Sequence, residues 1–388
     1  MKFVDPEEQN DDCLGILRLC SINLFQTYFA KLILVIAFIN VTGLTILQTY
    51  YSINGFSTIQ FIKYAPVYFG RFYVLVCLSF ILYYINVMYK SFQKIPLWKF
   101  NTAGTAYEKR VKRDALYTKI YVVFIVITGF CAAVLYVIPT EEDHEIFFIM
   151  TWFEDNMLEW ADILSLGHRL TFLFVSFLMQ APCLQICYLL KHGQYQVGII
   201  KVLVENIHFE FENLDEIDFN EKFHDEIRKR LVFCVKRHIS LFVTCNAIAK
   251  QAGIFVFLFA VTGAMLGVSL MLFLFLNEES LTLTYFRIWA LIFVAILTGV
   301  QYIIQGQSIE DITVEFFETL TRIKWYYWNK ENKVIYQIFL INSSTPFCVK
   351  FSESLAANYK LGIDLSKAVY SMLSFMTYVR DFVIAKKS

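Results

Sequence analysis

The chain has 388 residues, of which 57% are hydrophobic and only 18% are charged. Soluble domains carry about 25% charged residues, so this composition is that of a membrane protein. Its 34 basic and 34 acidic residues cancel, which leaves no bulk charge to attract a nucleic acid. The nine cysteines show neither a disulfide framework nor metal-ligand spacing, and we expect no cofactor.

Six apolar segments are each long enough to cross a bilayer as a helix. An α-helix rises 1.5 Å per residue, so about 20 residues span the hydrocarbon core. Pro182 lies inside the fourth segment, where we expect a kink and not a break, because neighbouring helices can satisfy the freed carbonyl. The six segments are residues 32–51, 64–88, 120–138, 170–190, 254–276 and 285–304.

A seventh segment, residues 361–383, is less apolar and carries a polar stripe. The polar residues recur at spacings of three and four, which places them on one face of a helix. Polar side chains at membrane depth are costly unless they face protein or water, so the stripe predicts an aqueous pore. It consists of Lys360, Asp364, Lys367, Ser371, Ser374, Tyr378 and Asp381.

The distribution of basic residues predicts the orientation of the chain. Most of the 34 lysines and arginines lie in the N-terminal segment and in residues 89–119, 191–250 and 305–364. Segments rich in lysine and arginine stay in the cytoplasm, so we expect the N-terminus inside and, after seven spans, the C-terminus outside. The sequon at Asn342 then lies inside the cell and stays unglycosylated.

The basic segments contain few glycines or prolines and are predicted to be helical beyond the membrane. Residues 221–251 and 310–328 should form helices, and the fourth and fifth spans should continue well below the bilayer. We therefore predict an all-α polytopic membrane protein. Its parts are a cytoplasmic N-terminus (1–31), a six-helix bundle with a ligand pocket in its outer half (32–304), cytoplasmic anchor segments (191–253 and 305–360) and a seventh, pore-lining helix (361–383).

Short motifs in the C-terminal half follow a characteristic order. They are Cys234-x-x-x-His238 before the fifth span, Gly306-Gln307-x-x-Glu310 directly after the sixth, Trp325-Tyr326, Pro346 and the closing segment 367–378. In this order, and with this length and reversed topology, the chain resembles the insect odorant receptor family. The resemblance covers the whole chain in topology and about residues 225–382 in motif order.

The resemblance implies a tetrameric, nonselective, ligand-gated cation channel in the plasma membrane of sensory-neuron dendrites. The 191–250 segment is shorter than the matching loop of the family's shared co-receptor, so the chain resembles an odorant-tuned subunit of a heterotetramer with that co-receptor. Each final helix would line a central pore. Carried over by position, Tyr378 falls at the narrow gate and Asp381 in a polar ring, and the pore residues are Ser371, Ser374, Tyr378 and Asp381. The alternative for Asp381 is that it marks the membrane boundary.

The resemblance places the odorant pocket in the outer half of the bundle, among helices two, three, four and six. Depth and spacing select apolar and aromatic residues there, the types that line small-molecule sites, and few formal charges accompany them. We expect a small, neutral, mostly apolar volatile. With 39 Phe and 23 Tyr in the chain, packing and lipid contact alone would also produce aromatic stripes. The candidates are Tyr68, Phe69, Phe72, Tyr73, Phe130, Val134, Phe172, Val175, Phe286 and Trp289.

Other functions stay open. A gustatory-type channel ends in Thr-Tyr, about five apolar residues and Gln-Phe, whereas Asp381-Phe382 follows Thr377-Tyr378 at a shorter spacing here. A signalling receptor would couple to a cytosolic partner without conducting. A transporter would often show repeated halves or broken helices, and the sequence shows no internal repeat. No nucleophile elbow or phosphate-binding loop indicates an enzyme.

Overall fold

The computed structural model describes residues 3, 12–94, 97–140, 143–209, 211, 221–276, 283–350 and 356–387. The described chain is helical, and its only β-structure is an isolated bridge between Lys350 and Ala356. Four short helices are α1 (Gly15–Ser21), α5 (Asp143–Ile146), α6 (Phe148–Asn156) and α10 (Lys330–Ser343). Seven long helices are α2 (Tyr28–Asn54), α3 (Thr58–Lys94), α4 (Thr105–Val137), α7 (Ala161–Glu205), α8 (Glu221–Leu276), α9 (Leu283–Thr321) and α11 (Tyr359–Lys387).

Successive long helices run in opposite directions between two ends of the bundle. At one end, which we call the rim, the Trp152 indole of α6 donates to the Tyr51 hydroxyl at the end of α2 (3.3 Å). At the other end, which we call the base, the Tyr107 hydroxyl at the start of α4 donates to the Tyr195 carbonyl near the end of α7 (2.7 Å). The short helices α5 and α6 therefore belong to the rim, and α1 and α10 belong to the base.

Length and hydropathy mark seven candidate membrane spans among the described residues. Five lie in α2, α3, α4, α7 and α9. The other two, Glu221–Lys250 and Gly253–Leu274, are successive parts of the single helix α8. Helix α11 is not among these seven. Each of the seven segments predicted from sequence lies within one long helix to within one residue, so the predicted all-α, seven-helix fold is confirmed.

Two helices are much longer than a bilayer is thick. Helix α7 has 45 residues and α8 has 56, which correspond to about 68 and 84 Å, against about 30 Å of hydrocarbon. The predicted helical continuations of the fourth and fifth spans are thus present. Helix α7 also runs through Pro182 without a break, as expected.

The predicted helix over residues 310–328 is wrong at both ends. Its first part is the uninterrupted continuation of α9, which ends at Thr321, and the aromatic run folds into a 3₁₀ turn at Trp325–Tyr327. The turn lets Trp328 enter the core, where its indole donates to Nε2 of His208 (2.9 Å), while Tyr326 stays exposed. Tertiary packing of one tryptophan overrides local helix propensity here.

The base contains the largest buried apolar cluster of the described chain. It joins α1, α7, α8, α9 and α10 and includes Leu17, Leu203, Ile227, Leu231, Phe316, Leu320 and Phe339. Non-directional burial of this kind is the dominant stabilising contribution in a water-exposed part of a fold. The base is therefore a packed unit that holds the far ends of several spanning helices together.

The Trp328–His208 contact predicts acid lability of the base. Burial, aided by the charges of Lys324 and Arg230, lowers the pKa of His208 from 6.5 to about 4. At a pH between these two pKa values, the unfolded chain binds a proton at His208 that the folded protein does not bind. The contribution of His208 to stability is complete above about pH 6.5 and is lost as pH falls toward 4.

The variant His208→Gln, which keeps an acceptor, should lose less thermal stability in detergent between pH 7 and 5 than wild type. The exposed His144→Gln should behave as wild type; equal acid sensitivity of all three would contradict this role.

The predicted orientation can be tested with glycan tags. Natural Asn342, at the base, should carry no glycan. Leu158→Thr creates the sequon Asn156-Met157-Thr at the exposed rim and should add one glycosidase-sensitive band shift on a gel. A glycan on Asn342 combined with an unmodified Leu158→Thr variant would reverse the orientation.

Candidate functional site

The last helix makes few contacts with the rest of the single chain. Helix α11 packs mainly against α9, where a Cβ on Gly362 would lie 3.3 Å from Cδ1 of Ile303. Beyond this first turn, its described side chains up to Tyr378 are exposed apart from the half-buried Met372, with Tyr370 at 74%, Phe375 at 66% and Tyr378 at 69%. A helix that is exposed on both its polar and its apolar faces lacks neighbours that a complete assembly supplies.

The predicted pore residues lie along this exposed helix. Ser371 lines an open groove of about 1020 Å³ between α9 and α11, together with Ser366 and Lys367. Ser374 and Tyr378 are exposed closer to the rim. Asp381 belongs to the helix, but its side chain lies outside the described part of the structure. Within one chain the stripe therefore borders an open surface and encloses no channel.

The four aromatic candidates of α3 point in different directions. The Tyr68 hydroxyl lies 3.0 Å from Oγ1 of Thr49 on α2, and Phe72 lines a groove of about 500 Å³ between α2 and α3. Tyr73 instead packs on Phe259 of α8, with ring centroids 5.8 Å apart. Adjacent residues on a helix differ by about 100° in direction, which is why this stripe divides between two neighbours. Phe69 packs beside Tyr68 (5.4 Å).

The remaining candidates separate into interior and surface positions. Phe172 lies in an aromatic cluster at the rim, its centroid 5.4 Å from Tyr136, 5.4 Å from Phe147 and 5.3 Å from His168. Val175 packs against the cluster that contains Leu178. Four others lie on the outer surface of the single chain, namely Phe130, Val134, Phe286 and Trp289. The structure therefore places Tyr73, Phe172 and Val175 inside the bundle and leaves these four outside it.

A charged cluster at the rim joins elements that are distant in sequence. The fully buried Asp143 of α5 accepts from Nη1 of Arg287 on α9 (2.6 Å) and from Nη2 of Arg169 on α7 (2.8 Å). Thr140 donates to the same carboxylate through its hydroxyl and its amide (2.8 and 3.1 Å). Arg287 also donates to the Ile138 carbonyl after α4. One carboxylate thus fixes α4, α5, α7 and α9 to each other.

Helices α5 and α6 close the rim of the bundle. The buried residues Phe147, Ile149 and Met150 pack against Leu270 and Phe273 of α8 and against α9. The sequence of this loop between the third and fourth spans is rich in acidic residues. Its apolar run from Ile146 to Met150 was the available signal that part of the loop folds inward.

A second buried arginine lies deeper, on α3. Arg71 is 7% exposed, and its Nη1 donates to Oε1 of Gln48 (2.6 Å) and to the Leu44 carbonyl (3.4 Å), both on α2. Arg71 and Arg287 are both interior residues, because each finds polar partners on a neighbouring element.

No protein-family model and no curated protein sequence matches the chain. The structure is similar to that of the insect olfactory receptor OR5 from Machilis hrabei, with 10% identity and a TM-score of 0.69 over 95% of this chain and 96% of the receptor. The same receptor in complex with eugenol matches with 9% identity and a TM-score of 0.72, over 95% and 97%. The chain has the fold of an insect olfactory receptor, as its motif order suggested. Its helices and this fold are those of a multi-pass plasma-membrane protein.

The Asp143 cluster predicts a strong destabilisation when its carboxylate is removed. Asp143→Asn removes the negative partner of the buried Arg287 and of the partly buried Arg169, and breaking a buried pair costs about 3–5 kcal/mol. The melting temperature of the purified protein in detergent should fall by several degrees or more. Glu154→Gln, which removes a half-exposed rim carboxylate paired with His144, is the matched control and should change stability little. Equal melting temperatures for the two variants would contradict the structural role of Asp143.

Proposed function

We propose that the chain is an odorant-tuned subunit of a ligand-gated, nonselective cation channel whose last helices line a central pore. The observation that supports this most is the exposure of α11 around its circumference. Its polar face needs water or protein at membrane depth, and its apolar face needs lipid or protein. A ring of such helices around an aqueous path satisfies both requirements at once.

The pore lining comprises Ser371, Ser374, Tyr378 and Asp381. Tyr378 narrows the path by its bulk, although its hydroxyl weakens closure by dewetting. Partner subunits with smaller apolar residues at this level would restore a dry gate, which favours a heterotetramer with a co-receptor over a channel of this chain alone. A ring containing Asp381 favours cations, as carboxylate rings do.

An exposed apolar strip on α10 supports assembly through the base. Val334, Ile338 and Ile341 recur at helical spacing and are all exposed, although α10 is not among the candidate membrane spans. Large apolar surface in contact with water marks protein interfaces. We assign this strip to contacts between subunits in a cytoplasmic anchor, which agrees with the orientation that the basic residues predict.

The proposed ligand is a small volatile bound in the rim half of the bundle. The related fold of the Machilis receptor has been observed with eugenol, which supports a ligand of this size. Tyr73, Phe172 and Val175 are the interior candidates for the pocket wall, and Tyr68, Phe69 and Phe72 lie on its α2 side. A ligand that binds the open arrangement more tightly than the closed one shifts the population toward conduction.

Current recording tests this function. Cells that express the chain with a co-receptor should pass cation current when a panel of volatiles is applied, and Asp381→Asn should change divalent permeation or block because the ring loses negative charge. Tyr326→Asn, a substitution at an exposed residue of the base, should leave permeation unchanged. Silence in every combination, with protein at the cell surface, would contradict a channel. Permeation in the Asp381→Asn variant equal to wild type would remove Asp381 from the pore.

A further inference from the structure

Arg71 is a buried cation to which no described residue supplies an anionic partner. Both of its acceptors, the Gln48 amide oxygen and the Leu44 carbonyl, are neutral. Its Nη2 is buried and has no hydrogen-bond partner. A guanidinium keeps its charge inside proteins, and a buried charge is tolerated when an opposite charge and hydrogen bonds compensate it. Arg71 has hydrogen bonds on one side only and lacks the compensating charge.

A second unpartnered nitrogen lies close by on α7. Nε2 of His168 is buried and makes no hydrogen bond. Leu44, whose carbonyl accepts from Arg71, and Phe172, whose ring contacts His168, both pack against the apolar cluster that contains Phe147. Arg71 and His168 therefore adjoin the same cluster, from α3 and from α7. The fully buried carboxylate of the rim, Asp143, is already engaged, because it pairs with both Arg169 and Arg287. Asp143 thus serves Arg169 and Arg287, and no described carboxylate pairs with Arg71.

Apolar aromatic walls adjoin these donors. The His168 ring contacts Phe172 (5.3 Å between centroids) and approaches Phe147 (6.4 Å), and Tyr136 packs on Phe172. A cationic donor set next to an aromatic wall fits a molecule with an anionic head and an apolar tail. A carboxylate matches the planar fork of an arginine better than a single oxygen does.

We propose that Arg71 and His168 recognise the carboxylate of a small apolar acid whose tail packs on the Phe172 cluster. This inference rests on the proposed function, since the acid would be the gating ligand, and it replaces the expectation of a neutral volatile. The carboxylate supplies the charge that Arg71 lacks and accepts hydrogen bonds from Nη2 of Arg71 and from Nε2 of His168. Gln48 then serves to position the guanidinium.

The first experiment compares matched ligands on the full-length wild-type protein. Medium-chain carboxylic acids and the primary alcohols of equal chain length are tested by thermal stabilisation of the purified protein in detergent and by current in cells with a co-receptor. The acids should reach half-saturation at concentrations at least about tenfold lower than the alcohols. Equal potency of the two series, or stronger binding of the alcohols, would overturn the proposal.

Variants then assign the effect to the two donors. Arg71→Gln should weaken the binding of acids by about tenfold to a hundredfold and leave the binding of alcohols unchanged. Arg71→Lys should weaken acid binding less than Arg71→Gln does. His168→Gln should also weaken acid binding by a smaller factor than Arg71→Gln. Arg322→Gln removes an exposed arginine of the base and should have no effect. A parallel loss for acids and alcohols in both Arg71→Gln and His168→Gln would indicate a purely structural role and overturn the proposal. If Arg71→Gln does not fold, His168→Gln decides, because an undiminished acid preference in that variant excludes the site.

The two readouts keep this inference separate from the channel function. Stabilisation by acids that Arg71→Gln abolishes, without any current, would support the acid site and contradict the channel. Currents evoked by neutral volatiles only, with no stabilisation by acids, would support the channel and overturn the acid site.

Discussion

Polar groups in an apolar bundle must meet a polar partner or water. This constraint explains both the charged cluster at the rim and the exposed polar stripe of α11. At the rim it is met inside the chain, because Asp143 holds two arginines and fastens α5 to α4, α7 and α9. Deeper in the bundle, the Ser176 hydroxyl donates to the Gly129 carbonyl (2.8 Å), and a Cβ on Gly129 would lie 1.8 Å from Nε2 of Gln180, so a larger residue there would require the Gln180 amide to move. Along α11 the constraint is not met within one chain, so other molecules must complete it.

The length of α7, α8 and α9 gives the two ends a mechanical connection. Helix α7 carries Arg169 at the rim and, through Leu203, contributes to the apolar core of the base. Helix α9 carries Arg287 at the rim, packs on α11 near Ile303 and ends in the same core at Phe316 and Leu320. A ligand that moves α7 or α9 at the rim would therefore act on the groove against α11, while the packed base restrains the far ends. Shear of packed helices is a known form of such coupling.

The fold was predictable from sequence because span length and hydropathy are local properties. The same is true of the length of α8, where the scarcity of breaking residues indicates one long helix. The turn at Trp325–Tyr327 was not predictable, since the contact of Trp328 with His208 joins residues 120 positions apart. The residues inside the candidate site could not be identified from sequence either. In a chain with 18% aromatic residues, Phe286 and Tyr73 look alike in sequence, although only Tyr73 lies inside the bundle. The partners of Arg287 are 144 to 149 residues away.

The electrostatics of the rim separate two classes of ligand. Arg287 has an anionic partner, so a neutral molecule nearby changes the electrostatic energy of its guanidinium little. Arg71 has only neutral acceptors and a buried Nη2 without a partner. A neutral, apolar molecule makes no hydrogen bond or ion pair with that nitrogen in any conformation, so it gains no binding free energy from it. An anion gains from it wherever the head group can reach Nη2, and this gain can differ between the open and closed arrangements of the helices. Since only differential affinity shifts a conformational equilibrium, Arg71 can contribute to gating by an acid and cannot contribute to gating by a hydrocarbon.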